Sequence, residues 1–355
     1  MINVAGDAGM SGYSFFMDQY RTPVLETIQR IREEGTYSFT LPGHRFGRGI
    51  DERTASVLSG DSAVGRRGVG GHFGFHPDPP TAAVQAGADL AVQSLHKADG
   101  GLCQASMILV GGDLVDLVDL RLRLDLITTT SPSALMYGSI DGWRRHLALN
   151  GKELIDGALE RADRIRSRLA KVSGLGVIDE SIHGSEGVAE WDPLKLCVDV
   201  SGLGITGYQA EEWLLSERQI EAQLGNSRWV VCSLTYADDD DAIDRLADAF
   251  EDLAAKPPAP NKPIPVDPPL EALDLEQAMS PRDAYFAETE QLSDPVGLIS
   301  AEMISPYPPG VPAILPGERF TEDVVTYLRT GQEAGMRIPD ASDPELKTFR
   351  VVRQA

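Results

Sequence analysis

The stretch Ala91-Val-Gln-Ser-Leu-His-Lys-Ala-Asp-Gly-Gly-Leu-Cys-Gln-Ala-Ser106 decides how the chain is read. Two apolar runs of strand length flank the turn Ala98-Asp-Gly-Gly101, which places Lys97 where one strand ends and a turn begins. Strand ends carry chemistry more often than strand middles, because the loops there vary while the sheet holds them in place. A lysine beside apolar strands is ordinarily a surface residue with its stem laid across them. Once desolvated, its amine loses its proton more readily and forms Schiff bases with carbonyl groups. Ser94, His96 and the run Thr128-Thr-Thr-Ser-Pro132 surround it in sequence with donors suited to a phosphate.

Working outward, 355 residues with 42% apolar side chains suffice for one large domain or two smaller ones, each with its own core. A net charge of −22 with no basic stripe excludes nucleic acid as a partner, since phosphate repels such a surface. No run approaches the ~20 apolar residues of a membrane span, and MINVAGDAGMSGY lacks the basic-then-apolar order of a leader, so a cytoplasmic protein is expected. Cys103, Cys197 and Cys232 lie in apolar, strand-like runs at no metal spacing and read as reduced core residues.

Residues 17–34 have helical spacing, Tyr37–Leu41 reads as a short strand, and Ser56–Pro80 holds no periodic segment able to form a core element. Thr81–Ala91 is spaced like a helix, 111–127 is a leucine-rich helix, and Ala134 to about Val172 is long helix. From Lys195 onward the pattern is a small α+β unit: strands at 195–200, 220–224 and 229–236, helices at 208–218 and 241–255. PPAPNKPIPVDPP at 257–269 is a proline-rich linker, and Ser280-Pro-Arg-Asp283 caps a further helix.

Three other sites compete with Lys97. Gly202-Leu-Gly-Ile-Thr-Gly207 matches a dinucleotide fingerprint, with Glu221 placed 19 residues after Gly202. Against it, Lys195 and Asp199 point outward from an alternating strand, and Asn226-Ser227 reads as a hairpin where a crossover helix is required. His72 and His76 have i,i+4 spacing, but glycine and proline around them oppose the helix a metal pair needs, so no metal is assigned. The run Gly65–Gly71 with Arg66 and Arg67 reads as a phosphate nest or a plain flexible loop.

SLHK followed by a Gln-Ala-Ser strand and TTTSPS resembles the pyridoxal-phosphate-dependent ornithine/lysine/arginine decarboxylase family (group III, fold type I). FTLPGHRFG at 39–47, with Arg45 in place of lysine, resembles its N-terminal motif; DPLKLCVDVSGLGITGYQAEEWL its small-domain strand and helix; ISAEMISPYPPGVPAILPGE at 299–318 its C-terminal signature. The resemblance implies an α/β chain: a truncated fold-type-I (aspartate-aminotransferase-like) large domain, a small α+β domain and a C-terminal helical segment. The boundaries expected are 1–60 for the segment with the PGHR motif, 61–150 for the remnant of the cofactor domain, 151–256 for the small domain and 257–355 for linker and C-terminal segment. By the same resemblance Lys97 is the Schiff-base lysine, His96 helps hold it, Ser94 takes the cofactor phosphate, and Thr129 or Thr130 reaches that phosphate from an adjoining subunit of a homodimer or higher homo-oligomer. The cofactor implied is pyridoxal 5′-phosphate, and the reaction implied is decarboxylation of ornithine, lysine or arginine to a polyamine-type amine.

The chain departs from the family in one block. Between the N-terminal motif and the lysine, the family's phosphate loop, its ring-stacking histidine and its DEAHG or DEAWG strand are almost wholly missing, so Val69 stands at the histidine or tryptophan position and Arg66 where the ring-nitrogen aspartate belongs. A cation there disfavours a protonated pyridine ring. The expectation is therefore an impaired decarboxylase, with a catalytically degenerate structural or interaction module as the alternative and a nucleotide-binding α/β protein as the minor one.

Overall fold

The computed structural model describes residues 64–67, 70–111, 114–182, 190–260, 275–307 and 312–353. The 17–34 helix, the 37–41 strand, the PGHR motif, Val69 and most of the proline-rich linker lie outside them. The chain divides into two compact units, one containing Ile178–Leu196 and Ser233–Ile243 with the residues up to Arg166, the other Ser167–Val177, Cys197–Cys232 and the residues from Asp244 onward.

In the first unit, β1 (Val64–Arg67), β2 (Leu90–Ser94) and β3 (Ser106–Val110) form a sheet in that order, β1 parallel and β3 antiparallel to β2. β1 corrects the expectation of a structureless Gly-Arg run: VGRR has no alternating pattern, and its pairing with β2 makes it a strand. Thr81–Ala91 is likewise no helix. Ala86 N–H donates to Ala82 O and Ala88 N–H to Ala83 O, and Gly87 at φ +97° ends the coil after one turn.

Between β2 and β3 lies the four-residue helix α1 (Leu95–Ala98). Then come α2 (Leu117–Ile127), whose N-terminus Asp116 caps by accepting from the amides of Val118 and Asp119, and the 36-residue α3 (Ala134–Leu169). Leu95, Ala105, Met107, Ile140, Trp143 and Leu147 form the apolar cluster that seats α1.

The elements from 195 onward follow the expected order with shorter strands: 220–223 is not strand, the strand there being only Leu224–Gly225, and the strand expected at 229–236 ends at Ser233. β4 (Gly176–Val177), β5 (Lys195–Asp199), β6 (Leu224–Gly225) and β7 (Trp229–Ser233) make a sheet in the order β4-β5-β7-β6, accompanied by α4 (Gly207–Arg218) and α5 (Asp240–Ala255). β6 and β7 are an antiparallel hairpin through Asn226-Ser227, and β7 is also antiparallel to β5, with Val200 N–H donating to Arg228 O and Leu234 N–H to Leu194 O. The GLGITG loop therefore leads through α4 to a strand that runs parallel to β5 but is separated from it by β7, not to the adjacent parallel strand of a dinucleotide site. Its glycines serve packing instead: a Cβ on Gly207 would lie 2.1 Å from the Trp229 carbonyl oxygen. Thr206 and Gln209 close a capping box at the start of α4.

Lys195 and Asp199 do not point outward as the alternation suggested. Both are buried, the lysine bonded to Ser233 and the aspartate paired with Arg228 and Ser201, so β5 is covered along its whole length. Cys197 and Cys232 are buried as expected, whereas Cys103 is exposed, because it sits in the turn that leads into β3.

The C-terminal segment carries α6 (Pro281–Phe286), capped by Ser280, and α7 (Glu322–Ala334), together with an antiparallel pair, β8 (Thr289–Leu292) and β9 (Phe349–Val352). The polar residues of ISAEMISPY act on main chain here. Glu302 accepts from the amides of Ser342 (2.7 Å) and Arg350 (2.6 Å), and Ser305 N–H donates to Asp340 (2.8 Å). Further along, Glu318 accepts from Leu315 N–H at 2.8 Å. Buried carboxylates that receive backbone amides replace the sheet bonds an irregular segment lacks.

Candidate active site

β2 ends at Ser94, whose extended backbone feeds directly into α1. Leu95 is fully buried in the apolar cluster, and the amides of Leu95 and His96 both donate to the Ala105 carbonyl, at 2.9 and 3.2 Å. Gly101 N–H closes the turn on Leu95 O at 3.0 Å. The backbone around Lys97 is thus tied at both ends while Lys97 itself is exposed. Ser94 is buried and makes no capping bond with its hydroxyl; His96 is half-buried with Nε2 shielded from water. Ser94, His96 and Lys97 are therefore brought together on one strand-to-helix junction.

Sequence reasoning missed the residue that fastens this junction. Asp99, the C-cap of α1, is fully buried, and its carboxylate accepts from Gly71 N–H (3.0 Å), His72 N–H (3.1 Å) and His72 Nδ1 (3.1 Å). These three bonds tie the 3-10 turn Gly71–Phe75 to the lysine's helix. Gly71 must lack a side chain, since a Cβ there would lie 2.6 Å from Asp99 Oδ2. The Tyr236 hydroxyl donates to the Asp99 carbonyl at 3.0 Å, and burial, reinforced by the Asp99 charge, pushes that phenol above its usual range. A charged residue set inside an Ala-Asp-Gly-Gly turn was the signal available.

The two histidines at i,i+4 part company. His72 turns to Asp99, with its Nε2 buried and unbonded among the described residues, and His76 donates from Nε2 to Asp156 at 2.8 Å while Nδ1 accepts from Asp78 N–H. The 3-10 turn between them supplies no common face. Among the described residues, no group of three or more His, Cys, Asp or Glu side chains is placed to hold a metal.

Thr129 and Thr130 lie exposed on the connection between α2 and α3, where Thr129 Oγ1 accepts from Ser131 N–H at 3.1 Å. On the other side of the lysine's strand, β1 runs parallel to β2 with Arg66 opposite Val92 and Arg67 opposite Gln93. By register, the strand neighbouring β2 therefore carries an arginine at the position the resemblance assigns to a carboxylate.

Comparison with known proteins fits this arrangement. The Orn/Lys/Arg decarboxylase major domain matches residues 61–242, and the Orn/Lys/Arg decarboxylase C-terminal domain matches residues 270–343. An arginine decarboxylase of Halalkalibacterium halodurans is 38% identical over 291 residues, covering 80% of this chain and 58% of the relative. That of Bacillus anthracis is 35% identical over 289 residues, again 80% and 58%. In three dimensions the Francisella novicida lysine decarboxylase LdcF superposes with a TM-score of 0.59 at 19% identity, over 80% of this chain and 52% of that one. The Escherichia coli constitutive lysine decarboxylase superposes with a TM-score of 0.54 at 22% identity, over 74% and 49%. The chain spans 58% of the length of each of these two arginine decarboxylases. With its major-domain and C-terminal matches in order, and its mixed α/β fold shared with solved lysine decarboxylases, the chain belongs to the Orn/Lys/Arg decarboxylase family.

Proposed function

We propose that the chain is a pyridoxal-phosphate-dependent decarboxylase of a basic amino acid, impaired by the missing block, with Lys97 as the cofactor's covalent anchor. The observation that carries this reading is that Ser94, His96 and Lys97 share one strand-to-helix junction whose backbone is pinned by Leu95 and Asp99, in a chain 38% identical to an arginine decarboxylase; the lysine itself is exposed, not desolvated. Arginine is the leading substrate, because the four relatives at 34–38% identity carry that activity in their names.

The donor set fits one half of the cofactor. When bound, pyridoxal phosphate supplies the electron sink for loss of the substrate carboxylate as carbon dioxide. Lys97 Nζ would hold its aldehyde carbon, the Ser94 hydroxyl a phosphate oxygen, and His96 the lysine's stem; Thr129 or Thr130 would add a hydroxyl from a neighbouring subunit of a homodimer. The other half does not fit. A protonated ring nitrogen needs a carboxylate, the β1 position beside β2 carries Arg66, and Asp99 is already engaged by three donors. That disagreement supports weak binding and slow turnover, and equally a second reading, a degenerate member kept as a structural or interaction module.

No helix among the described residues is long and apolar enough to cross a membrane, which accords with a cytoplasmic enzyme. The test is to add pyridoxal phosphate to the purified chain, follow the visible band, trap the adduct with borohydride, and assay carbon dioxide release from arginine, lysine and ornithine. The expected result is a weak adduct mapped to Lys97, lost in Lys97→Ala, with slow release from one basic amino acid. An adduct unaffected by Lys97→Ala overturns the assignment of the lysine. Turnover at the rate of intact relatives overturns the impairment.

A further inference from the structure

α2 is apolar on two sides. Leu124 is buried and Leu120 and Ile127 half-buried against the protein, whereas Val118, Leu122 and Leu126, spaced by four, form a second stripe that is 69%, 61% and 60% exposed. One helix face against the core accounts for the first set and leaves the second without a described partner; three large apolar side chains in a row at this exposure mark a contact surface. The charges flanking the stripe are arranged with an internal symmetry. Reading outward from Leu122 in both directions gives arginine (Arg121, Arg123), leucine (Leu120, Leu124) and aspartate (Asp119, Asp125). Arg123 pairs with Asp119 at 2.8 Å and Arg121 with Asp125 at 3.9 Å, all four side chains exposed.

We infer that the Val118–Leu122–Leu126 stripe docks on the same stripe of a second copy of this chain, the two α2 helices running antiparallel about a two-fold axis through Leu122. The inference deepens the homodimer proposed above by naming its contact. In that register Leu122 meets its own copy and Val118 meets Leu126 of the other helix. Each arginine then lies between the aspartate of its own helix and the matching aspartate across the axis, Arg121 beside Asp125 and Arg123 beside Asp119. A sequence that reads the same in both directions satisfies a two-fold contact without any second partner type, because an isologous interface requires each patch to complement itself. An 11-residue helix is about 16 Å long, so α2 supplies the centre of the roughly 800 Å² per partner of a standard interface, not its whole area.

The experiment is disulfide mapping on the full chain with exposed Cys103 changed to serine. Leu122→Cys is expected to give a covalent dimer under mild oxidation. Val118→Cys alone is not, while a mixture of Val118→Cys and Leu126→Cys chains is expected to give the mixed dimer. Leu122→Glu should weaken dimerisation about 30-fold or more by analytical ultracentrifugation with the far-ultraviolet spectrum unchanged. A monomer at high concentration, a dimer cross-linked through Val118→Cys alone, or a Leu122→Cys thiol shielded from maleimide within a monomer, which would mean the chain's own residues cover the stripe, each overturns the proposal. None of these readouts needs cofactor or substrate. A cross-linked dimer that forms no borohydride-trapped adduct thus fails the decarboxylase reading alone, and an adduct-forming protein without the Leu122→Cys bridge fails the interface alone.

Discussion

Replacing Asp99 by alanine tests the account of the lysine's junction most directly. The substitution removes the acceptor from three donors at 3.0–3.1 Å, two backbone amides and one imidazole, at a site with no access to water. Hydrogen bonds to a charged group contribute about 1.5–3 kcal/mol each, and a buried donor left unmade costs about 1–3 kcal/mol. The three share one carboxylate and are not additive, so the combined loss is about 3–5 kcal/mol, a large part of the ~5–15 kcal/mol that holds an ordinary domain folded. Asp99→Asn keeps one oxygen and turns an amide group toward a donor, and should lose about 1.5–3 kcal/mol. Equilibrium urea unfolding followed by tryptophan fluorescence reads this out, because Trp143 belongs to the same apolar cluster as Leu95. A loss below about 1 kcal/mol for Asp99→Ala at unchanged m value would refute the reasoning, since the carboxylate would then be tying nothing together.

Gly207→Ala places a Cβ 2.1 Å from a backbone oxygen of the β6–β7 hairpin, so it should lose about 3 kcal/mol, and an unaltered urea midpoint would contradict the packing role given to GLGITG. Burial pushes the Asp340 carboxyl above its ordinary 3.8, against the pull of the Ser305 amide. The native state therefore keeps that proton to higher pH than the unfolded chain does, and the stability it contributes, full below about pH 4, is lost as pH rises through the native value. Asp340→Asn should flatten that decline, and superimposable stability profiles from pH 4 to 7 would remove Asp340 as its source. Lys97→Ala should abolish the borohydride-trapped adduct while changing stability by no more than about 0.5 kcal/mol, since the side chain is exposed; a marked loss of stability would show the lysine to be structural.

Local signals were legible where local chemistry decides the outcome. The break at Ala98-Asp-Gly-Gly101 marked the turn before β3, the Ser280 cap opened its helix, and Asn226-Ser227 turned the hairpin, whereas the strand expected to run up to Lys97 ends at Ser94 and the lysine lies on α1. What stayed hidden depends on partners distant in sequence. VGRR becomes a strand through β2, some 26 positions on, and Asp99 acts on amides 27 and 28 residues away. Lys195 and Asp199 looked like the wet side of an alternating strand because nothing in their own segment announces Ser233 and Arg228, which bond to them. The family motif placed Ser94, His96 and Lys97 on one junction, but no short-range pattern could show that the adjoining strand brings an arginine where a carboxylate was expected.

The carboxylate of Glu302 has a consequence for the route by which its unit folds. The backbone of Ser300 bonds to Gly317 and Glu318, 17 and 18 residues on, whereas the two amide partners of Glu302 lie 40 and 48 residues downstream. Closing loops of that length costs chain entropy before any bond offsets it, so the contacts rich in Glu302 belong to the last part of the folding reaction. The strands β8 and β9 meet across a similar separation and should assemble in the same late step, making the C-terminal segment zip shut around one buried glutamate instead of growing outward from α7.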